Sequence, residues 1–374
     1  MLSWAHRRAI QTGWLLGTIT QWLLGLVSLV IGLSILATIP IVQFLSLGYL
    51  LESCGRIIRT GKLRAGFVGI SSIARVGSIA AGSGLALAPA LFASSYYQSS
   101  LLLNGNGPPS RRLLILTTLL GGAALLHIAW ACFRGGKLRH FFWPAPLQFW
   151  RRWKKGGIYE DACEKVWQAL TRWRLPYYFW LGLRGFTGAL LWLFLPTTLL
   201  IAASRVDDHG LGVLIGLVGA ASLALVLLYL PFLQANFAAD GQWRSMFQIG
   251  RVRAGFRKAP IAHWIALLFT LVLAIPLYLL KAELIPREAA WLPSLFFIAF
   301  ILPARWCVGW ALARTRRRET PRHFVFRSLA RCAAVPVVLI YVIIVYFTQY
   351  ISWYGGLSLY EQHAFLLPVP FLGM

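Results

Sequence analysis

Eight long apolar segments, separated by short polar connections, constrain the fold of this chain more than any other feature of its sequence. A helix needs about 20 apolar residues to cross a hydrocarbon layer roughly 30 Å thick. Unpaired backbone groups are costly in lipid, so each crossing segment has to be helical. The pattern therefore predicts an all-α integral membrane protein with about eight transmembrane helices, at residues 14–39, 77–97, 113–133, 177–203, 211–233, 260–280, 291–313 and 332–351.

The composition and charge agree with this class of protein. Hydrophobic residues make up 58% of the chain and charged residues 13%, whereas soluble domains are about half apolar and a quarter charged. The net charge of +25 lies in short Lys and Arg clusters between the apolar segments, which does not favour nucleic-acid binding. We expect anionic membrane lipids as partners. The sequence leaves a soluble partner and the oligomeric state open.

The connections between the segments alternate in positive charge. Loops 52–76, 134–176, 234–259 and 314–331 together hold 27 Lys and Arg residues, whereas the other set of loops holds five. Cytoplasmic loops of membrane proteins carry such an excess. The basic loops are therefore predicted to lie in the cytoplasm, with the chain in the inner (cytoplasmic) membrane of the cell.

Arg7 and Arg8 precede the first span and fit this topology poorly. Eight spans place the N-terminus outside, with residues 41–60 on the cytoplasmic surface. The alternative keeps both arginines inside and folds residues 14–51 into a hairpin that turns at Pro40. A duplication along the chain favours the first topology.

This duplication relates residues 61–67 (Gly-Lys-Leu-Arg-Ala-Gly-Phe) to residues 250–256 (Gly-Arg-Val-Arg-Ala-Gly-Phe). It predicts two tandem repeats of four helices, 1–204 and 205–374, with an amphipathic cytoplasmic insertion near 143–175 in the first. An even number of spans gives both repeats one orientation, so they are parallel repeats. Further matches follow in the same order: Pro40 with Pro231, Pro89 with Pro276, Trp130-Ala131 with Trp310-Ala311, and Arg139-His140-Phe141 with Arg322-His323-Phe324.

The duplicated basic motif contains Lys62, Arg64, Arg251 and Arg253. One interpretation is an interfacial clamp, in which these cations contact lipid headgroups while the neighbouring Phe enters the acyl region. The other is a turn that returns the chain to the membrane, with cations that only set the topology. The insertion adds an amphipathic helix at residues 158–174, predicted to lie on the cytoplasmic surface or beneath the bundle.

Arg305 is the basic residue that lies well inside a predicted span. An Arg at the centre of a membrane helix costs about 2.5–3.5 kcal/mol on insertion scales, so it is a candidate ligand-binding residue. Pro303 just before it can free a backbone carbonyl. The alternative is that the side chain extends along the helix to the cytoplasmic interface.

The sequence predicts no catalytic residue, metal site or cofactor. The five cysteines have no spacing typical of a metal site, and no motif of a known enzyme class occurs. Asp and Glu are scarce in the spans, which does not favour transport coupled to buried carboxylates.

Several short stretches resemble a family of uncharacterised multi-spanning bacterial membrane proteins. This resemblance implies an inner-membrane location and assigns no activity to any residue. The stretches are Pro40-x-x-Gln43, Gly48-Tyr49-Leu50-Leu51, Gly55-Arg56 and Gly61 in the first half, and Tyr229 to Gln234 and Phe300 to Arg305 in the second.

Three functional hypotheses follow from these features. The first is a permease-like protein with a pathway between the repeats, in which Arg305 binds an anionic solute. The second is a non-transporting membrane module that binds anionic lipids or partner proteins through its basic face. The third, a membrane-embedded enzyme, lacks a recognisable catalytic constellation. The duplication favours the first.

Overall fold

The computed structural model describes residues 2–276, 291–351 and 358–361, and the regular structure in these ranges is helical. The helices are α1 (Leu2–Thr38), α2 (Gln43–Thr60), α3 (Ile70–Asn104), α4 (Pro108–Phe133), α5 (Leu138–Phe142), α6 (Pro146–Lys155), α7 (Ile158–Arg172), α8 (Leu175–Ala203), α9 (His209–Asp240), α10 (Ile249–Lys258), α11 (Pro260–Val272), α12 (Trp291–Arg316), α13 (Phe324–Ile351) and α14 (Ser358–Glu361). Two short 3-10 turns, Leu63–Gly66 and Trp243–Phe247, follow α2 and α9.

Seven described helices are long and apolar enough to cross a membrane, which confirms the prediction of a multi-pass helical membrane protein. The predicted segment 260–280 begins as the 13-residue apolar helix α11, and its last residues lie outside the described ranges. The seven spans are Ile19–Thr38, Ile70–Asn104, Pro108–Phe133, Leu175–Ala203, His209–Asp240, Leu292–Arg316 and Phe324–Tyr350.

The chain divides into two compact units. Unit 1 contains Met1–Leu29 and Gly69–Trp173, and unit 2 contains Val30–Val68 and Arg174–Met374. The boundaries between the units fall within α1, between Val68 and Gly69, and between Trp173 and Arg174. The predicted repeats, 1–204 and 205–374, are a different division of the chain and stay a prediction.

Unit 1 is built on the long helices α3 and α4 and on the predicted insertion. The loop after α4 is held by Arg134, whose guanidinium donates to the backbone carbonyls of His140 and Trp143. In the insertion, α6 and α7 are joined by an ion pair of 2.6 Å between Arg152 and Asp161. The helix α7 (Ile158–Arg172) confirms the helix that the spacing of apolar residues predicts at 158–174.

Unit 2 contains the helix that the hydropathy pattern misses, α2. Most of its residues are buried, although Glu52, Arg56 and Arg59 give it too much charge to count as a span. It packs so closely on α8 that a Cβ atom on Gly48 would lie 1.8 Å from the carbonyl oxygen of Tyr178. Small residues allow this kind of backbone approach between membrane helices. The expectation that residues 41–60 lie on the surface is therefore wrong.

The direction of the first span is also opposite to the predicted one. Ser46 of α2 donates to the Leu33 carbonyl at 2.7 Å. The Ser34 hydroxyl donates to the Val30 carbonyl at 2.6 Å, and its Oγ lies 3.3 Å from the carbonyl oxygen of Ser294. The end of α1 therefore lies beside the start of α12, and α2 returns from there toward Arg317, which donates to the Gly61 carbonyl. Because Arg317 follows the basic end of α12, α1 runs away from the basic end. The hairpin around Pro40 is the topology that the structure supports.

Candidate functional site

Arg305 lies in α12 with 2% of its surface exposed. Its Nη1 donates to Oε1 of Gln234, in α9, at 2.7 Å. This bond holds the guanidinium inside unit 2, so the side chain does not extend along α12 to the interface. The structure therefore favours the interpretation of Arg305 as an interior charge over the snorkelling alternative.

Gln234 connects Arg305 to a third helix. Its Nε2 lies 3.3 Å from the carbonyl oxygen of Gly185 in α8, to which it donates. Gln234 follows Pro231, and Arg305 follows Pro303, so each partner lies within one turn of a proline inside its own helix. A proline removes one backbone hydrogen bond from the preceding turn and kinks the helix. Both members of the pair therefore lie directly after a turn that lacks one backbone hydrogen bond.

Two donor groups of Arg305 are left without a partner. Nε and Nη2 are buried and make no hydrogen bond to any described residue. The ion pairs of the described ranges join Glu52, Asp161 and Asp240 to other arginines, not to Arg305. An uncompensated charge in an apolar interior costs several kcal/mol even after relaxation. The described protein thus supplies one neutral amide oxygen to a full positive charge.

The face of α12 around Arg305 is closed by α2 and its following turn. Trp306 donates from Nε1 to the Ser53 hydroxyl at 2.7 Å, and Ser53 donates to the Gly66 carbonyl at 2.6 Å. Phe67 packs on Trp306, with ring centroids 4.3 Å apart. One turn later in α12, Gly309 packs against α2: a Cβ atom added to Gly309 would lie 3.1 Å from the carbonyl oxygen of Cys54. These contacts fix α2 and its following turn against the part of α12 that directly follows Arg305.

Two carboxylates that the sequence analysis did not single out organise the basic end of unit 2. Glu52 is buried; its Oε1 lies 2.8 Å from Arg56 and 2.8 Å from Arg59, and Tyr177 donates to its other oxygen at 2.8 Å. Arg59 also donates to the Ala238 carbonyl at the end of α9. A signal was present in the sequence, because Glu52 and Arg56 have the i, i+4 spacing of a helical ion pair.

Asp240, the last residue of α9, is the second of these carboxylates. It forms ion pairs with Arg251 of α10 and with Arg316 of α12, the latter at 3.0 Å. Gly241 then ends the helix with a positive φ of 70°, a conformation that suits glycine. Glu52 and Asp240 therefore tie the ends of α2, α8, α9, α10 and α12 together.

The four predicted lipid-contact residues lie in different local structures. Lys62 and Arg64 are exposed in and beside the 3-10 turn Leu63–Gly66, whereas Arg251 and Arg253 are exposed on the helix α10. Arg251 is paired with Asp240, and Arg253 lies over the ring of Tyr229 and donates to its hydroxyl at 3.1 Å. The duplicated motif thus has two conformations, and only its first copy is a turn.

No metal-binding site is evident in the part of the chain that the structure describes. No group of three or more His, Cys, Asp or Glu residues that could hold an ion occurs there. The five cysteines are free thiols. Arg305, the candidate ligand-binding residue of the sequence analysis, is buried with two unpartnered donor groups in this part of the chain.

Comparison with known proteins adds no relative: no family model, no curated protein and no solved structure matches the chain. The resemblance to uncharacterised bacterial membrane proteins stays a hypothesis on the residues quoted above. What the helices establish by themselves is the class: the chain is a multi-pass helical membrane protein.

Proposed function

We propose that this protein is a permease-like protein of the inner (cytoplasmic) membrane that binds an anionic solute at Arg305 in unit 2. The observation that carries the proposal is the buried guanidinium with two unpartnered donors. Ionisable residues inside a membrane bundle are costly and mark solute pathways or ligand counter-ions. An anion on the free donors would supply the compensation that Gln234 alone does not give.

Pro231 and Pro303, which lie beside the Arg305–Gln234 pair, support a movement of α9 and α12 at the proposed site. Transporter sites are built from interrupted helices near the middle of the membrane. Pro231 and Pro303 lie inside the continuous helices α9 and α12, just before the two side chains. Each proline lacks the backbone N–H of a regular helix, so a bend of the helix at either position would move one partner relative to the other.

The exposed arginines at the basic end of unit 2 support an anionic rather than a cationic solute. A surface of one sign raises the local concentration of the opposite ion and speeds its capture. Two carboxylates, Glu52 and Asp240, neutralise only part of this set, so a net positive potential remains. The exposed arginines include Arg251, Arg253, Arg257, Arg314, Arg316 and Arg317.

The predicted tandem repeats, 1–204 and 205–374, are supported by a backbone conformation that occurs once in each of them. Gly61 (φ 69°, ψ 11°) and Gly241 (φ 70°, ψ 1°) each end a helix, and each is followed by an extended residue and a 3-10 turn. The two glycines are 180 residues apart, the offset that also relates Trp130 to Trp310. This equivalence differs from the one that the motif at residues 250–256 suggests.

The test is uptake of labelled organic and inorganic anions by liposomes that contain the purified full chain. We expect saturable uptake by the wild-type protein and loss of at least tenfold in Arg305→Gln. Arg205→Gln removes one exposed positive charge between α8 and α9 and should transport normally. Uptake that is absent for every anion, or equal in Arg305→Gln, would reject the proposal.

The alternative function is a non-transporting module that binds anionic lipids or partner proteins through its basic face. It is supported by Lys62 and Arg64, which are exposed beside Leu63, itself 51% exposed. Cations next to exposed apolar side chains suit a headgroup layer. Lipids retained by the purified protein would be measured with Lys62, Arg64, Arg251 and Arg253 all changed to Gln. Loss of anionic lipid with no anion uptake by the wild type would favour this function.

A further inference from the structure

The free donors of Arg305 form one edge of its guanidinium group. Nη1 is occupied by Gln234, and the unpartnered groups are Nε and Nη2. A guanidinium is planar and holds its five N–H groups in a fixed fork. The N–H of Nε and one N–H of Nη2 point in the same direction from one edge. The group therefore presents two parallel donors rather than a point charge.

We infer that the ligand of this site is an organic monocarboxylate, bound through both oxygens to the Nε–Nη2 edge of Arg305. This inference rests on the proposed function and names its substrate class. Two parallel N–H groups match the two oxygens of a carboxylate, and this bidentate pairing gives geometric specificity as well as energy. A halide has a single acceptor centre and gains no such match, so the edge discriminates by shape between anions of equal charge.

The charge of the site selects a monoanion. Arg305 brings one positive charge, and its described protein partner, Gln234, is neutral. A carboxylate neutralises that charge, whereas a dianion such as sulfate leaves a net negative charge in the apolar interior. Such an uncompensated charge is strongly unfavourable.

The surroundings of Arg305 favour an organic ligand. Ile301 and Val308, about one turn before and after Arg305 on α12, are 2% and 0% exposed. Leu230 and Phe237 have the same relation to Gln234 on α9 and are 0% exposed. The helical turns that carry Arg305 and Gln234 are therefore flanked by buried apolar residues, and such surroundings suit the hydrocarbon part of a carboxylic acid better than a phosphate, which needs more donors.

The experiment measures thermal unfolding of the detergent-purified full chain with sodium acetate, sodium chloride and sodium sulfate at equal ionic strength. A ligand that binds only the folded state raises the unfolding temperature. We expect a saturable rise with acetate that depends on Arg305, whereas sulfate, which stabilises folded proteins by exclusion from their surface, should give a rise that does not depend on Arg305. Arg305→Lys keeps the charge but removes the fork, and should weaken the apparent acetate affinity at least tenfold. Arg205→Lys should respond as the wild type does.

A second variant covers the case in which Arg305→Lys does not fold. Gln234→Glu places a carboxylate of the protein itself beside the guanidinium, with almost no change in shape. We expect it to lose the acetate response; its own stability combines two opposed changes, the gained ion pair and the lost hydrogen bond to the Gly185 carbonyl. An acetate response that persists in Gln234→Glu would overturn the inference.

The outcomes separate the inference from the proposed function. Equal stabilisation by acetate and chloride, retained in Arg305→Lys, overturns the carboxylate inference and leaves anion transport standing if liposomes take up chloride. An acetate response that depends on Arg305, without uptake by liposomes, rejects transport and supports the carboxylate site. No response to any anion, together with no uptake, rejects both.

Discussion

Oγ of Ser34, in the last turns of α1, lies 3.3 Å from the backbone carbonyl oxygen of Ser294, at the start of α12. Because α12 runs from there to its basic end at Arg316, the contact fixes the direction in which α1 enters unit 2. The chain then turns at residues 39–42 and returns along α2. With this hairpin, Arg7 and Arg8 precede a span that starts on the side of the basic loops.

This topology predicts that the N-terminus is cytoplasmic. A fluorescent protein that folds only in the cytoplasm, fused before Met1, should be fluorescent, because the positive-inside rule then holds for the first span as well. The same fusion inserted at Gly105, in the loop between α3 and α4, should be dark. A dark N-terminal fusion together with a fluorescent fusion at Gly105 would contradict the hairpin.

The close approach of α2 and α8 predicts that Gly48→Ala is strongly destabilising. The new Cβ would meet the backbone of Tyr178, which cannot move as a flexible side chain can. Overpacking of a tight interior typically costs about 1–3 kcal/mol. The unfolding temperature in detergent would be compared with that of Gly32→Ala, where nothing lies within 4 Å of the added atom. Equal values for the two variants would count against this packing.

The buried carboxylate Glu52 predicts a second loss of stability. Glu52→Gln removes the charge that Arg56 and Arg59 share. Both arginines are more than a third exposed, so solvent screens part of the loss, and we expect a cost of about 1–3 kcal/mol rather than the full value for a buried pair. Chemical or thermal unfolding would measure it against Asp207→Asn, an exposed acid in the loop before α9. A cost no larger than that of the control would contradict the role given to Glu52.

The repeated helix ends predict different costs for two glycine substitutions. Gly241→Ala meets no atom within 4 Å, so only its positive φ is penalised, by roughly 1 kcal/mol. Gly61→Ala has the same φ and would also push its Cβ into the Arg317 guanidinium. Gly61→Ala should therefore unfold at a lower temperature than Gly241→Ala. The reverse order would show that the two ends are not packed as described.

Hydropathy predicted the spans of this fold because their exposed faces are apolar, as lipid requires. It missed α2, since a helix surrounded by protein can carry Glu52, Ser46 and Ser53 when each finds a partner. The direction of α1 was mistaken for the same reason. Without α2 as a return segment, the alternation of basic loops could only be satisfied by placing the N-terminus outside.

The candidate site was only half visible in the sequence. Arg305 was evident, because an arginine inside an apolar segment has a cost that has to be offset. Gln234 was not, since it lies 71 residues away and a glutamine near the end of a span has many ordinary uses. The free edge of the guanidinium could be recognised only once the single bond from Nη1 was placed.

The position of α2 has a consequence for the biogenesis of the protein. Its closest neighbours, α8, α9 and α12, are synthesised only after the whole of residues 69–173 has left the ribosome. During that interval a segment too polar to remain in lipid by itself has to be held by α1 or by the insertion machinery. The ion pairs of Glu52 with Arg56 and Arg59 lower the free-energy cost of keeping α2 in lipid before the later helices arrive, because all three residues belong to α2. We therefore expect α1 and α2 to insert into the membrane together as a hairpin, and α2 to reach its final packing only when α8, α9 and α12 have been inserted.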